Sequence, residues 1–172
     1  MIMFCAFEQM APLIEVAKRY GFKNSYPLFF VKKTSAQALK ANQKIVGATE
    51  HAIVFYRDKL PKFNNGWQID ETGKKMILNW FEWKRDSTKD VPKIHPTQKP
   101  VNLLEKLIKT FTDEGDVVID PCAGSGTTLL AAKKNKRHSY GFEIYKPFYN
   151  EAVEKMLTLG EEEGEQLDLL SM

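Results

Sequence analysis

Asp120-Pro121-Cys122-Ala123-Gly124-Ser125-Gly126-Thr127-Thr128 is the stretch that decides the fold class. It follows the apolar run Val117-Val118-Ile119 and precedes Leu129-Leu130-Ala131-Ala132, so a buried type of strand gives way to a helix across a glycine turn. In an alternating α/β sheet such a junction lies at the carboxyl end of a strand, where ligands collect. The glycines let the backbone approach a ligand closely. The helix start beyond Gly126 offers N–H groups and a positive dipole end, suited to a phosphate or a carboxylate. Glu143 closes the next strand 19 residues after Gly124, the offset of an acidic side chain that holds ribose hydroxyls. A glycine pair alone also suits a plain tight βα turn; with Glu143 added, an adenosine-containing cofactor follows. A nicotinamide dinucleotide and S-adenosylmethionine are the two candidates. The third glycine of the dinucleotide fingerprint is absent, its place nearest Leu129, and Asp120 ahead of the turn is foreign to it.

Working outward, Pro100 opens a helix with Val101, Leu104, Ile108 and Phe111 spaced three to four apart. Beyond the turn the pattern predicts a helix over 127–136, a strand over 139–144 and a helix over 147–157. Towards the N-terminus, residues 1–7 read as a strand and Met10 to Tyr20 as an amphipathic helix stopped by Gly21. Tyr26 to Val31 and Ala52 to Tyr56 read as further strands, with loop between them and a surface excursion from Pro61 to Ile94. Strands alternating with helices argue for a mostly parallel, doubly wound sheet.

Composition agrees with a globular domain: 172 residues, 43% hydrophobic and 27% charged, enough for one domain of ordinary size. No apolar run approaches the roughly 18 residues of a membrane span, and no export signal is evident, so a cytoplasmic setting is expected. Two cysteines, Cys5 and Cys122, and the scattered His51, His95 and His138 argue against a disulfide scaffold and against a metal site. The charge is uneven. Residues 1–93 hold 16 Lys and Arg against 9 Asp and Glu, whereas residues 157–172 hold 5 acidic groups and no basic one. The basic part is interleaved with aromatics, as a polyanion-binding surface is and as an ordinary solvated face can be.

The glycine turn together with His95-Pro96-Thr97-Gln98-Lys99-Pro100 resembles the N-4/N-6 amino-methyltransferases of DNA, in the permuted arrangement whose cofactor half follows its catalytic half. Ile2–Met10, Phe29–Lys33, Glu50–Phe55 and Gly141–Ile144 extend the resemblance over nearly the whole chain. It implies a Rossmann-like α/β fold, incomplete at its N-terminal end, that binds S-adenosylmethionine and modifies double-stranded DNA, as in restriction–modification. Carried over, Asp120, Gly124, Ser125, Gly126 and Thr127 would line the methionine and ribose part, with Cys122 in the same cofactor-binding loop. Glu143 would take the ribose hydroxyls, and Thr97, Gln98 and Lys99 would face the methionine end. The plainer reading of His95-Pro96 is a rigid turn setting the next helix. A single domain over 1–158 would place its DNA-facing region at 32–93 and its cofactor half at 94–158, with a flexible acidic tail over 159–172.

The family's catalytic motif, an Asp, Asn or Ser followed by two prolines and an aromatic residue, has no counterpart, since every proline here stands singly. No catalytic residue is therefore assigned. An exocyclic amine needs acceptors for its hydrogens and an aromatic ring against the extruded base, and no other segment supplies them. In the family that motif ends a central strand between the strands of 117–119 and 1–7. Its loss would remove several buried side chains worth about 1.5–3 kcal/mol each, against a total stability of roughly 5–15 kcal/mol. The expectation is a truncated or split enzyme, partnered by a separate chain that carries the motif; the alternative is a non-catalytic remnant that binds S-adenosylmethionine or DNA. A small-molecule enzyme using a dinucleotide is opposed by the 95–100 segment. Gln166-Leu167-Asp168-Leu169-Leu170 resembles peptides that dock into bacterial sliding clamps, with Leu170 where phenylalanine is usual.

Overall fold

A computed structural model describes residues 1–35, 38–67, 72–73 and 76–159. Gln166–Leu170, read above as a clamp-docking peptide, lies outside the described residues. The chain divides into two compact units, Met1–Lys84 and Arg85–Met172.

The first unit is built on a four-stranded sheet of β1 (Ile2–Cys5), β2 (Asn24–Val31), β3 (Thr49–Tyr56) and β4 (Trp80–Glu82), in the order β1-β3-β2-β4. Helix α1 (Met10–Arg19) follows β1 after a short 3-10 turn. Its Met10, Leu13, Ile14 and Ala17 share one face and pack on Met3, Cys5, Ile53 and Phe55. Phe30 is fully buried. It stacks on Phe4 at 5.1 Å and on Phe81 at 5.9 Å, with Trp83 edge-on at 6.4 Å, an aromatic column drawn from three strands and the residue after β4.

The mostly parallel sheet expected from the sequence is corrected here. β3 pairs antiparallel with both β1 and β2, and only β2 with β4 is parallel in this sheet. For β2 and β3 the connection agrees with this: its described residues hold a 3-10 turn, Ala38–Lys40, and no crossover helix, and such neighbours pair antiparallel.

The second unit holds α2 (Val101–Phe111), β5 (Val117–Asp120), α3 (Thr127–Lys134), β6 (His138–Gly141) and α4 (Lys146–Glu151), which continues as a π-helical turn over Ala152–Met156. β5 and β6 pair parallel, Val117 beside His138 through Asp120 beside Gly141. One face of this pair is covered by α3: a Cβ placed on Gly141 would stand 2.7 and 2.8 Å from the Leu129 methyls and 3.0 Å from the Ala123 Cβ. Glycine is therefore required where helix and strand touch. The other face carries Val117, Ile119 and Tyr140 with 54%, 64% and 50% of their surface exposed. The core of this unit lies between α2 and α3, with Leu103, Leu104, Leu107 and Ile108 on one side and Leu129, Leu130 and Ala132 on the other. Asp86 caps α2 from upstream by accepting the Val101 N–H at 2.9 Å.

Candidate cofactor site

The turn after β5 is shaped by bonds that its own sequence dictates. Asp120 Oδ1 accepts the Cys122 N–H at 3.0 Å, and the chain turns back on itself through Gly126 N–H to Ala123 O at 2.8 Å. Gly124 and Gly126 have φ of +54° and +77°, left-handed values that other residues adopt only with strain. Ladder bonds carry β6 past its last paired residue: Phe142 N–H donates to Asp120 O at 3.0 Å, and Ala123 N–H to Phe142 O at 2.8 Å. The next residue is Glu143. Its Oε2 accepts the Gly124 N–H at 2.9 Å and its Oε1 accepts the Tyr145 N–H at 2.7 Å, so one carboxylate joins the glycine turn to the entrance of α4.

The loop residues named from sequence divide into two groups. Pro121 and Cys122 are exposed, and Asp120, Ala123, Gly124 and Glu143 are half-buried. Ser125 and Thr127 are buried, 3% and 4% exposed, with their hydroxyls 3.5 Å apart. Gly126 is buried too; a Cβ on it would meet the Ala152 Cβ at 3.3 Å. These three shape the loop from behind. The 95–100 segment also divides. Thr97 is exposed, Lys99 Nζ donates to the Thr97 carbonyl at 3.2 Å, and the Gln98 carboxamide is turned inward onto Pro92, Ile94 and His95.

Sequence reasoning gave His95 no ligand role, yet its ring lies about 3.9 Å from where a Gly124 Cβ would stand. Phe148 meets that ring edge-on at 4.5 Å, and Tyr145 meets Phe148 at 4.9 Å. An aromatic at 148, one turn into the last helix, was the available signal. Among the described residues no cluster of His, Cys, Asp and Glu could hold a metal, and no helix is long and apolar enough to cross a membrane.

A family model of DNA methylases, the N6/N4 methyltransferases, matches residues 1–154. The chain belongs to this family. It is similar to the type II methyltransferase M.HindIII of Haemophilus influenzae, 52% identical over 62 residues, which are 36% of this chain and 20% of that protein. It is 35% identical over 102 residues to the type II methyltransferase M2.DpnII of Streptococcus pneumoniae, 58% of this chain and 34% of that protein. The match thus spans 20% and 34% of these relatives' own length. Among solved structures, the M1.HpyAVI–SAM complex superposes with a TM-score of 0.74 at 27% identity, covering 91% of this chain and 73% of that one. The Rossmann-like methyltransferase fold implied by the family resemblance is thereby established.

Proposed function

We propose that this chain carries the cofactor-binding half of an N6/N4 DNA amino-methyltransferase and takes S-adenosylmethionine at the 120–126 turn beside Glu143. The observation that carries this reading is the bond from the Gly124 N–H to the Glu143 carboxylate, which sets an anionic acceptor beside a glycine turn at the carboxyl ends of two parallel strands. The donor set fits the molecule. Glu143 keeps lone pairs for ribose hydroxyls, Gly124 admits the nucleoside close to the backbone, and the Lys99 ammonium suits the methionine carboxylate. The solved relative named as a SAM complex supports the same ligand. When bound, S-adenosylmethionine supplies an electrophilic methyl on its sulfonium; the chain's own residues bind and orient it.

The acceptor in this reading is an exocyclic amine of adenine or cytosine in double-stranded DNA, met by the basic, aromatic stretch 32–93. The 172 residues hold no adjacent prolines, so the groups that hold the acceptor amine come from polypeptide outside them.

Thermal unfolding with and without S-adenosylmethionine tests the proposal. At about 100 times its dissociation constant the ligand should stabilise the wild type by about 2.7 kcal/mol. Glu143→Gln, which loses the charge that holds the ribose, should forfeit about 1.5–3 kcal/mol of binding. A wild type indifferent to the ligand, or a Glu143→Gln chain that binds as tightly, would refute it.

A further inference from the structure

Gln98 and His95 stand in the turn before α2. The sequence reading assigns the ligand-facing role to Gln98 and none to His95. The geometry points the other way. Gln98 Oε1 accepts the N–H of Ile94 at 3.0 Å and that of His95 at 3.4 Å, while its Nε2 donates to the Pro92 carbonyl at 2.9 Å. Both acceptor positions of the carboxamide and one of its two donors thus serve the backbone of residues 92–95. His95 Nδ1 in turn accepts the Thr97 N–H at 3.1 Å and lies 3.0 Å from the Thr97 hydroxyl, which leaves the neutral ring's proton on Nε2. The ring so fixed is wedged between Phe148 and the left-handed Gly124.

We propose that Gln98 is a positioning residue for the cofactor turn: by clamping the 92–95 backbone it seats the His95 imidazole over Gly124, and it makes no ligand contact itself. This rests on the cofactor reading above.

The test uses two nucleosides. S-adenosylmethionine and 5′-methylthioadenosine, which lacks the amino-acid half, are titrated calorimetrically into the wild type, Gln98→Ala and Gln98→Glu. The His95 ring nitrogens are followed by proton–nitrogen correlation spectroscopy. Gln98→Ala should weaken both ligands by a common factor of about ten and abolish the single Nε2–H pattern of His95. Gln98→Glu, which keeps an oxygen for the Ile94 and His95 N–H groups but loses the donor to the Pro92 carbonyl, should restore part of both. A loss confined to S-adenosylmethionine would mean that Gln98 touches the methionine end, and would overturn the proposal. So would weakened binding with the His95 pattern intact. If Gln98→Ala shows no cooperative unfolding, Gln98→Glu decides: a His95 pattern that weakens together with both affinities supports the clamp, and weakened binding with the His95 pattern intact overturns it. Should the wild type bind neither nucleoside, the cofactor reading fails by itself, while the His95 pattern in the variants still shows whether the clamp exists.

Discussion

In residues 1–84 the strands are held by side chains that meet across the sheet, Phe4 on Phe30 on Phe81, from positions far apart in the chain. In residues 85–172 the shape-giving contacts around the site are bonds between side chains and nearby backbone: Asp120 to Cys122, Glu143 to Tyr145, Gln98 to Ile94 and His95. The charges differ in the same way, 13 Lys and Arg against 7 Asp and Glu in the first stretch, 12 against 15 in the second. The excess of positive charge therefore sits in one region and the glycine turn in the other.

Three experiments break or sharpen this contrast, in falling order of effect. Phe30→Ala should lower the unfolding free energy by about 3–5 kcal/mol, because it empties the middle of the aromatic column. Urea denaturation followed by alkylation of half-buried Cys5 in the first unit, and by amide hydrogen exchange of α2 and α3 in the second, should show the Cys5 transition moving more. Equal movement would mean that the two units unfold as one. Gly126→Ala should cost about 1–3 kcal/mol, since its φ of +77° is strained for alanine and its Cβ would press on Ala152; an unchanged midpoint would mean that the turn yields.

The smallest effect is kinetic. Exposed Cys122 should react with iodoacetamide before Cys5, whose thiol burial pushes above its ordinary value of 9.0. At any given pH a smaller fraction of Cys5 is thiolate. The folded thiol keeps its proton more tightly than the unfolded one, so its contribution to stability is present below pH 9.0 and lost as pH rises through the folded value. Equal rates at neutral pH would contradict this.

Legibility followed the same divide. The sequence pattern placed α1, α2 and β5 within a residue or two, and the turn with Glu143 was readable because spacing alone fixes it. β4 was not: Trp80–Glu82 is three residues long and exists through pairing with β2, leaving no local period to read. The strand expected to run to Ile144 ends at Gly141, where Glu143 turns its carboxylate back to the chain. The helix expected to reach 136 stops at Lys134, ahead of Lys136 with φ of +57°. Burial of Ser125 and Thr127 depends on packing, which their polar character hides. His95 and Gln98 are both polar and three apart; only their partners tell strut from ring.

Glu143 ties Gly124 to Tyr145, so the turn has its shape before any ligand arrives. Ordering a residue's backbone costs roughly 1–2 kcal/mol of conformational entropy. Here that cost falls on folding and is subtracted from binding. On the proposed reading a nucleoside would meet a finished surface, its association limited by diffusion and orientation rather than by loop closure, and differences in affinity among ligands would lie in how long they stay.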